Sequence, residues 1–499
     1  MKKIVKLFLA AVAASTLAFS SCGTKKDGDT LRMSMISEPD SFFPWKSAAA
    51  ETAAVTDNIF EGLLKADKNG ALYPALAESY SVSDDFLTYT FNLRKGVKFH
   101  NGADFTSADC VYTYKNLAGL DGLTVRSDNM HIVKSVSAPD NYTFTVELKC
   151  PTGAFLLMVA SSPILLHDYE ENETMPVGTG PYKFVSYSLH EKILFERNDD
   201  YYDKNRAGKI KNIEMLIMTD ENAEISALQS GQLDVAQMIS GTNAKMLTKN
   251  YNVISHPQNM VQIFGMNNSY PPLSDINVRK AITCAINKQE VINGVFDGFA
   301  TELYSNFSPI LREYYNDSLA GIFPYDLEKA KTYMSASEYK DGFDLTITVP
   351  SNYQPHVDTA QLIVNMLKPL GIHCTILPVE WTTWLDKVYS KAEYQTTVIS
   401  FAGKIDPTDV LRRYGSDYKR NFLKFKNAEF DKTFSKAESE IDLKKRAEYF
   451  KKCQEIITMD CPAVFICDPG RNIVTQKNVA GYTAYPINFY DFSTLYFTE

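Results

Sequence analysis

The chain has 499 residues and a formal charge of −9, with 45% hydrophobic and 12% aromatic residues. This length and apolar content supply enough buried surface for roughly two to four compact domains and exclude a disordered chain. The acidic balance argues against nucleic acid and against an anionic membrane surface as partners.

Lys2, Lys3 and Lys6 accompany an apolar run over 4–19, and Ser20-Ser21-Cys22 follows it. The run is short for a bilayer span of about 20 residues. A basic start, a short apolar core and small residues at its end describe an export signal over 1–21. Cys22 looks like the acceptor of a bacterial lipoprotein signal, with 22–29 as a tether. Without those three lysines, 51 basic residues less three stand against 60 acidic ones, roughly −12. Cys22 aside, seven of the eight cysteines remain. An odd number in an exported chain leaves at least one thiol free or paired with another molecule. Most are expected as buried thiols, with one disulfide among Cys110, Cys150, Cys284 and Cys374 left open.

Leu31, Met33 and Met35 alternate with polar neighbours as a half-buried strand does. Tyr89, Phe91 and Leu93 do the same; Val97-Lys98-Phe99-His100 resumes the pattern before the Asn101-Gly102 turn. Thr106 three residues before Asp109 predicts a capped helix carrying Val111, Tyr114 and Leu117. Tyr142, Phe144, Val146 and Leu148 alternate again, so a small antiparallel sheet is expected to project from the first lobe. Residues 213–218, 222–230 and 234–236 form a strand–helix–strand unit, with Gly231 placed for a left-handed helix end.

The pattern changes near Val261. An amphipathic helix is expected over 275–295, and Asp326 is placed to cap another. Strands over 345–349, 372–379 and 396–401 then alternate with helices over 358–370 and 382–391, which implies a parallel sheet. Ligands of such sheets bind outside the carboxyl ends of the strands, which points to 401–409. Helices over 429–459, a strand over 462–474 and a Tyr- and Phe-rich tail over 479–497 complete the chain.

Catalytic motifs are missing: there is no HExxH, GxSxG, P-loop or GxGxxG, and no CxxC pair. Gly178-Thr179-Gly180 runs into Pro181-Tyr182 and suits a strand entry better than a phosphate cradle. His100 and His131 read as satisfied histidines rather than ligands. No catalytic residue, metal site or cofactor is expected.

The wording of 74–79, 89–102 and 108–112 closely resembles the signature of the family-5 extracellular solute-binding proteins. These are the oligopeptide-, dipeptide- and nickel-binding receptors of ABC importers. The resemblance continues in Gly178-Thr179-Gly180-Pro181-Tyr182, in 228–234 and in 278–282, in the family's order. It implies an α/β, bilobed periplasmic-binding-protein fold of the type II, cluster C-like kind. Lobe I would take 30–262 with a β-rich subdomain at about 70–180, lobe II 263–465, and 466–499 would return to lobe I. Two connections, near Val261 to Phe264 and near Val464 to Arg471, would form a hinge.

The resemblance also implies a function: a lipid-anchored receptor on the extracytoplasmic face, a monomer, passing a small solute to ABC permease subunits. A peptide is the first expectation. A sugar, an organic acid or a metal chelate is the alternative, and a scaffold without transport the third. Ligand contact is implied for Ala49, Ala50 and Asn267, and for Phe401, Ala402, Gly403, Lys404 and Asp406. In peptide-binding members an aspartate of this last loop pairs with the peptide's α-amino group; here Lys404 aligns with it most nearly. Lys404 would then favour an anionic or strongly polar ligand group, unless it is a solvated loop charge or a gap brings Asp406 into the role.

Overall fold

The computed structural model describes residues 29–47, 52, 55–487 and 489–498; the expected export signal, Cys22, Ala49 and Ala50 lie outside them. Thr30–Met35 forms a strand with Leu31, Met33 and Met35 fully buried. It pairs in parallel with Asn212–Ile217 on one side and with Val235–Ala236 on the other. Between these two partners runs the helix Glu221–Ser230. Asp220 caps it by accepting from the Ala223 N–H, and Gly231 ends it at φ 75°. The left-handed ending suits glycine, which has no Cβ to clash.

A second group of strands centres on Met260–Met266, which pairs antiparallel with Thr396–Ala402. Phe343–Pro350 lies parallel to both Ile372–Val379 and Thr396–Ala402, the α/β arrangement expected from the alternation. One long strand, Ala463–Thr475, belongs to both groups. Its first part pairs with Met260–Met266 and with Ala300–Glu302, its second with Asn252–Pro257 and Val235–Ala236. The change of partner falls at Asp468 to Gly470 on this strand and between Pro257 and Met260 on the opposing one. The tail contributes Tyr490, Phe492 and Leu495 to the core that holds Leu31 and Met33.

The antiparallel sheet is ordered Ala77–Val82, Thr88–Leu93, Thr143–Leu148, Val133–Asp140. The helix Ser107–Ala118 packs on it through Tyr114, whose ring lies 5.0 Å from that of Phe144. Thr106 and Asp109 form the expected capping box, and the buried Asp109 also accepts from His167 Nδ1 at 2.6 Å. Gly178 and Gly180 precede Tyr182–Ser188, and a Cβ on Gly178 would stand 2.0 Å from the Ile59 carbonyl oxygen. Close backbone approach therefore requires these glycines, as a strand entry does.

Three expectations are corrected. Residues 97–100 make one isolated bridge, Lys98 to Asp104, rather than a strand, because the turn over 99–103 closes at once through Phe99 N–H to Ala103 O, 2.8 Å. The 275–295 helix is two helices, Ile276–Ala285 and Lys288–Val295, since Ile286 is extended and Asn287 starts a new helix by accepting from the Glu290 N–H. The 382–391 helix is a short α-turn, Trp381–Thr383, continued as the π-helix Trp384–Ser390. All seven described cysteines are free, with Cys110, Cys284, Cys453, Cys461 and Cys467 buried.

Candidate functional site

At the carboxyl ends of Phe343–Pro350, Ile372–Val379 and Thr396–Ala402 the chain leaves the sheet in loops, the place where open α/β sheets bind ligands. Phe401, Ala402 and Gly403 line a recess there together with Val261 and Ile263 from the neighbouring strand Met260–Met266, Asn259 just before it, Asn306, Phe307 and Leu311 from the coil after Ala300–Glu302, and Arg413. The recess is narrow, with a free volume of about 20 Å³ and walls that are mostly apolar. Asn259 stands at its rim, at φ 59°, between the two strand groups. Its carbonyl accepts from Gly403 N–H at 2.6 Å, and its side-chain amide donates to Pro486 O at 2.7 Å. A Cβ on residue 403 would meet Asn259 Oδ1 at 2.2 Å, so a larger residue there would displace the Asn259 side chain from its place beside this loop.

An aromatic train runs from the surface to the recess. Tyr353, 42% exposed, meets Trp381 edge-on at 5.3 Å, and Trp381 stacks on Trp384 at 5.3 Å with the planes 2° apart. Trp384 stacks on Tyr389, which leans on Phe401, and Phe401 packs on Phe422. The π-helix sets this order, and Trp384 Nε1 anchors it by donating to Thr397 Oγ1 at 3.0 Å. The Arg413 guanidinium covers the Phe401 ring at 4.5 Å. Aromatic faces plus a few fixed polar groups are what a concave ligand site offers.

The expected residues are divided by the structure. Phe401, Ala402 and Gly403 share the recess, and Lys404 follows on the exposed loop. Asp406 is held by the protein: both its oxygens accept from Arg446 Nη2, at 3.1 and 3.2 Å, and Oδ1 also takes the Thr408 N–H and hydroxyl. Asn267 is not brought to this site. It lies beyond Met266, whose partner is Thr396, whereas Ala402 faces Met260. The strand's length separates it from Gly403 by about 20 Å. Its amide is satisfied locally, donating to Ala392 O and Tyr394 O and accepting from Ser269. Trp381, Trp384, Arg413 and Asn306 were not foreseen. The two tryptophans, three residues apart after a strand, carried a signal, whereas Asn306 in a coil carried none.

His100 is a satisfied histidine: Nε2 sits 3.0 Å from Gly180 O, and burial pushes its pKa down to about 4. Among the described residues no group of three or more His, Cys, Asp or Glu side chains is placed to hold a metal ion, and no helix is long and apolar enough to cross a membrane.

The sequence matches the family described as Bacterial extracellular solute-binding proteins, family 5 Middle, over residues 71–422. It is 26% identical to the oligopeptide-binding protein AppA of Bacillus subtilis (strain 168), across 97% of this chain and 95% of that one. The structure superposes on HbpA2 from Haemophilus parasuis with a TM-score of 0.85 at 22% identity, covering 94% of this chain and all of the other. It also superposes on the periplasmic binding protein DppA from Helicobacter pylori, solved in complex with peptide STSA, with a TM-score of 0.70 at 25% identity, covering 94% and 98%. These likenesses give the fold as the bilobed α/β type of the periplasmic binding proteins. Matched over well over half its length, and with its strand-end recess beside the crossing between two strand groups, the chain belongs to the family-5 bacterial extracellular solute-binding proteins, the solute receptors of ABC importers.

Proposed function

We propose that this protein binds peptides between its two lobes and delivers them to an ABC permease, as a monomer held to the membrane by lipid on Cys22. The observation that carries the reading is the recess itself. It lies at Gly403, against Asn259 in the short segment between the two strand groups, so a ligand there touches both the strand ends and the hinge. The lobes divide between Pro257 and Met260 and around Asp468 to Gly470, slightly before the first expected crossing, and rotation about these two short segments closes the cleft. The oligopeptide- and peptide-complexed relatives support a peptide ligand. Lys404 favours a second reading, a solute with an anionic or strongly polar group, because a cation repels the α-ammonium of a free peptide.

Native mass spectrometry of protein purified without refolding tests the reading. A bound mass that fragments as a peptide is expected, and adding that peptide to stripped protein should lower the radius of gyration with unchanged circular dichroism. A retained non-peptide solute replaces the first reading with the second; no compaction at saturation removes the closing motion. The anchor rests on the basic and apolar start ending in Ser20-Ser21-Cys22. Cells fed a fatty-acid analogue should label the protein, and Cys22→Ser should abolish the label; a labelled Cys22→Ser variant refutes the anchor.

A further inference from the structure

Among the described residues that line the recess, Arg413 is the only charged one. It follows directly on the short helix Thr408–Arg412 and is half-buried, with its guanidinium 4.5 Å from the centre of the Phe401 ring. Among the described residues it has no hydrogen-bond partner and no carboxylate. The neighbouring arginines are engaged: Arg412 meets Glu438 at 2.9 Å, and Arg446 holds Asp406. The Phe401 face attracts the charge but carries no lone pair for an N–H, so the planar fork of donors is left unanswered by the protein. Those donors are also within reach. Arg446 Nη1 and Arg471 Nε are sealed from solvent without a partner, whereas no nitrogen of Arg413 is sealed in this way. An accessible cation beside apolar walls, at the carboxyl ends of the strands, is a place for an anion.

We propose that Arg413 receives a carboxylate of the ligand, so that the solute meets the loop over 401–404 with an anionic end. The proposal rests on the reading of the recess as part of the ligand cleft and fixes the polarity of what binds there. A carboxylate matches the guanidinium with two parallel N–H···O bonds, charge-assisted and partly withdrawn from water. A neutral carboxamide offers one oxygen and no charge, and an ammonium meets a like charge. A phosphate dianion calls for a second cation, which the described lining does not supply. The free volume of about 20 Å³ beside the guanidinium takes a group about the size of a water or a methyl. A carboxylate adjoining a small substituent fits both, whether it ends a peptide that finishes in Gly or Ala or belongs to an acidic side chain.

The experiment uses the full mature chain, stripped of ligand, and calorimetry with tetrapeptides of Ala and Gly. Each is supplied as the free acid and as the carboxyl-terminal amide, and a second series carries Glu or Gln at each inner position. Either amidation or the change from Glu to Gln at one position should weaken binding by about ten- to a hundred-fold, the usual effect of losing a charge-assisted contact. The first result assigns the carboxylate to the chain end, the second to a side chain. Arg413→Met, which keeps a long apolar stem over Phe401, should abolish that difference while circular dichroism stays as in wild type. Arg413→Gln is the second neutral variant should the first not fold. Arg412→Met removes a paired arginine from the same helix end and should leave the difference intact; an equal loss there means a diffuse field rather than a contact and overturns the proposal. A difference that persists in Arg413→Met, or one absent from the wild type, also overturns it and leaves the peptide reading standing. If no peptide binds the wild type, the peptide reading falls, and the co-purified solute becomes the probe. A carboxylate-bearing solute weakened at least about ten-fold by Arg413→Met then supports the proposal, and a solute without a carboxylate, or one with unchanged affinity, overturns it.

Discussion

Replacing Arg446 by leucine is expected to cost about 3–5 kcal/mol of folding stability, the usual result of removing one partner of a buried ion pair. Arg446 is completely buried on the helix Leu443–Asp460, and its guanidinium lies 4.8 Å from the Phe450 ring centre. One nitrogen holds both oxygens of Asp406 and, at 2.7 Å, the Thr408 hydroxyl, while Nε donates to Ala437 O at 3.1 Å. Leucine would leave the Asp406 carboxylate, 23% exposed, without its cation at the start of the short helix Thr408–Arg412. Since 403–406 leads from the recess into that helix, ligand affinity should fall with stability. Chemical denaturation and calorimetry on the same variant measure both. Adding Asp406→Asn should restore part of the lost stability by removing the stranded charge. A loss below about 1 kcal/mol for Arg446→Leu would mean that water replaces the pair at little cost.

The second large effect is a pH dependence set at the crossing. Asp468 is fully buried where the long strand changes partner, and burial pushes its pKa up to about 7 although Ser308 and the N–H groups of Gln258, Asn259 and Met260 favour the charged form. Folded protein thus keeps a proton that the unfolded chain releases near pH 4, so unfolding releases a proton and stability falls as pH rises from about 4 to about 7. Above that range the carboxyl is ionised in both states and the slope ends. The shift corresponds to something on the order of 2–4 kcal/mol at neutral pH. Glu224, buried and likewise pushed up to about 7, acts in the same direction. His100 and His356, both held down near 4 by burial, act in the opposite one, since the unfolded chain binds their protons below about pH 6.5. The quantity to measure is therefore the difference between Asp468→Asn and wild type in urea midpoints from pH 4 to 8. It should grow in the variant's favour up to about pH 7 and then level off; a constant difference across the range rules the assignment out.

Much of the fold was legible because its signals are local. Leu31, Met33 and Met35 declared a buried strand by alternation, Gly231 and Asp326 declared helix ends, and the strands at 345–349, 372–379 and 396–401 fell within a residue or two of their observed limits. The break at Ile286 escaped because Val278 and Ile282 before it and Val291 and Ile292 after it bury into one core, so the hydrophobic periodicity runs across the gap. The extended Ile286 and the Asn287 side chain, accepting from Glu290 N–H, divide the two helices. The site was half legible. Phe401 to Gly403 could be placed by the rule for strand ends, but the distance of Asn267 from that recess and the orphaned amide of Asn306 are facts of packing between segments far apart in sequence. Asp406 follows in the same loop, yet its partner Arg446 comes from a helix 40 residues further on.

The strand Ala463–Thr475 also governs when this molecule can fold. Val464 and Ile466 complete one core, Phe465 another, and Ile473 the core that begins with Leu31. These three cores therefore cannot be completed while the chain is still emerging, because the segment that finishes them arrives near the very end. A chain that emerges amino-terminus first would keep these cores open until this strand appears, and would then complete them almost together. Contacts between residues as far apart in sequence as Asn58 and Tyr490 make such folding slow, which prolongs the interval in which the chain remains unfolded.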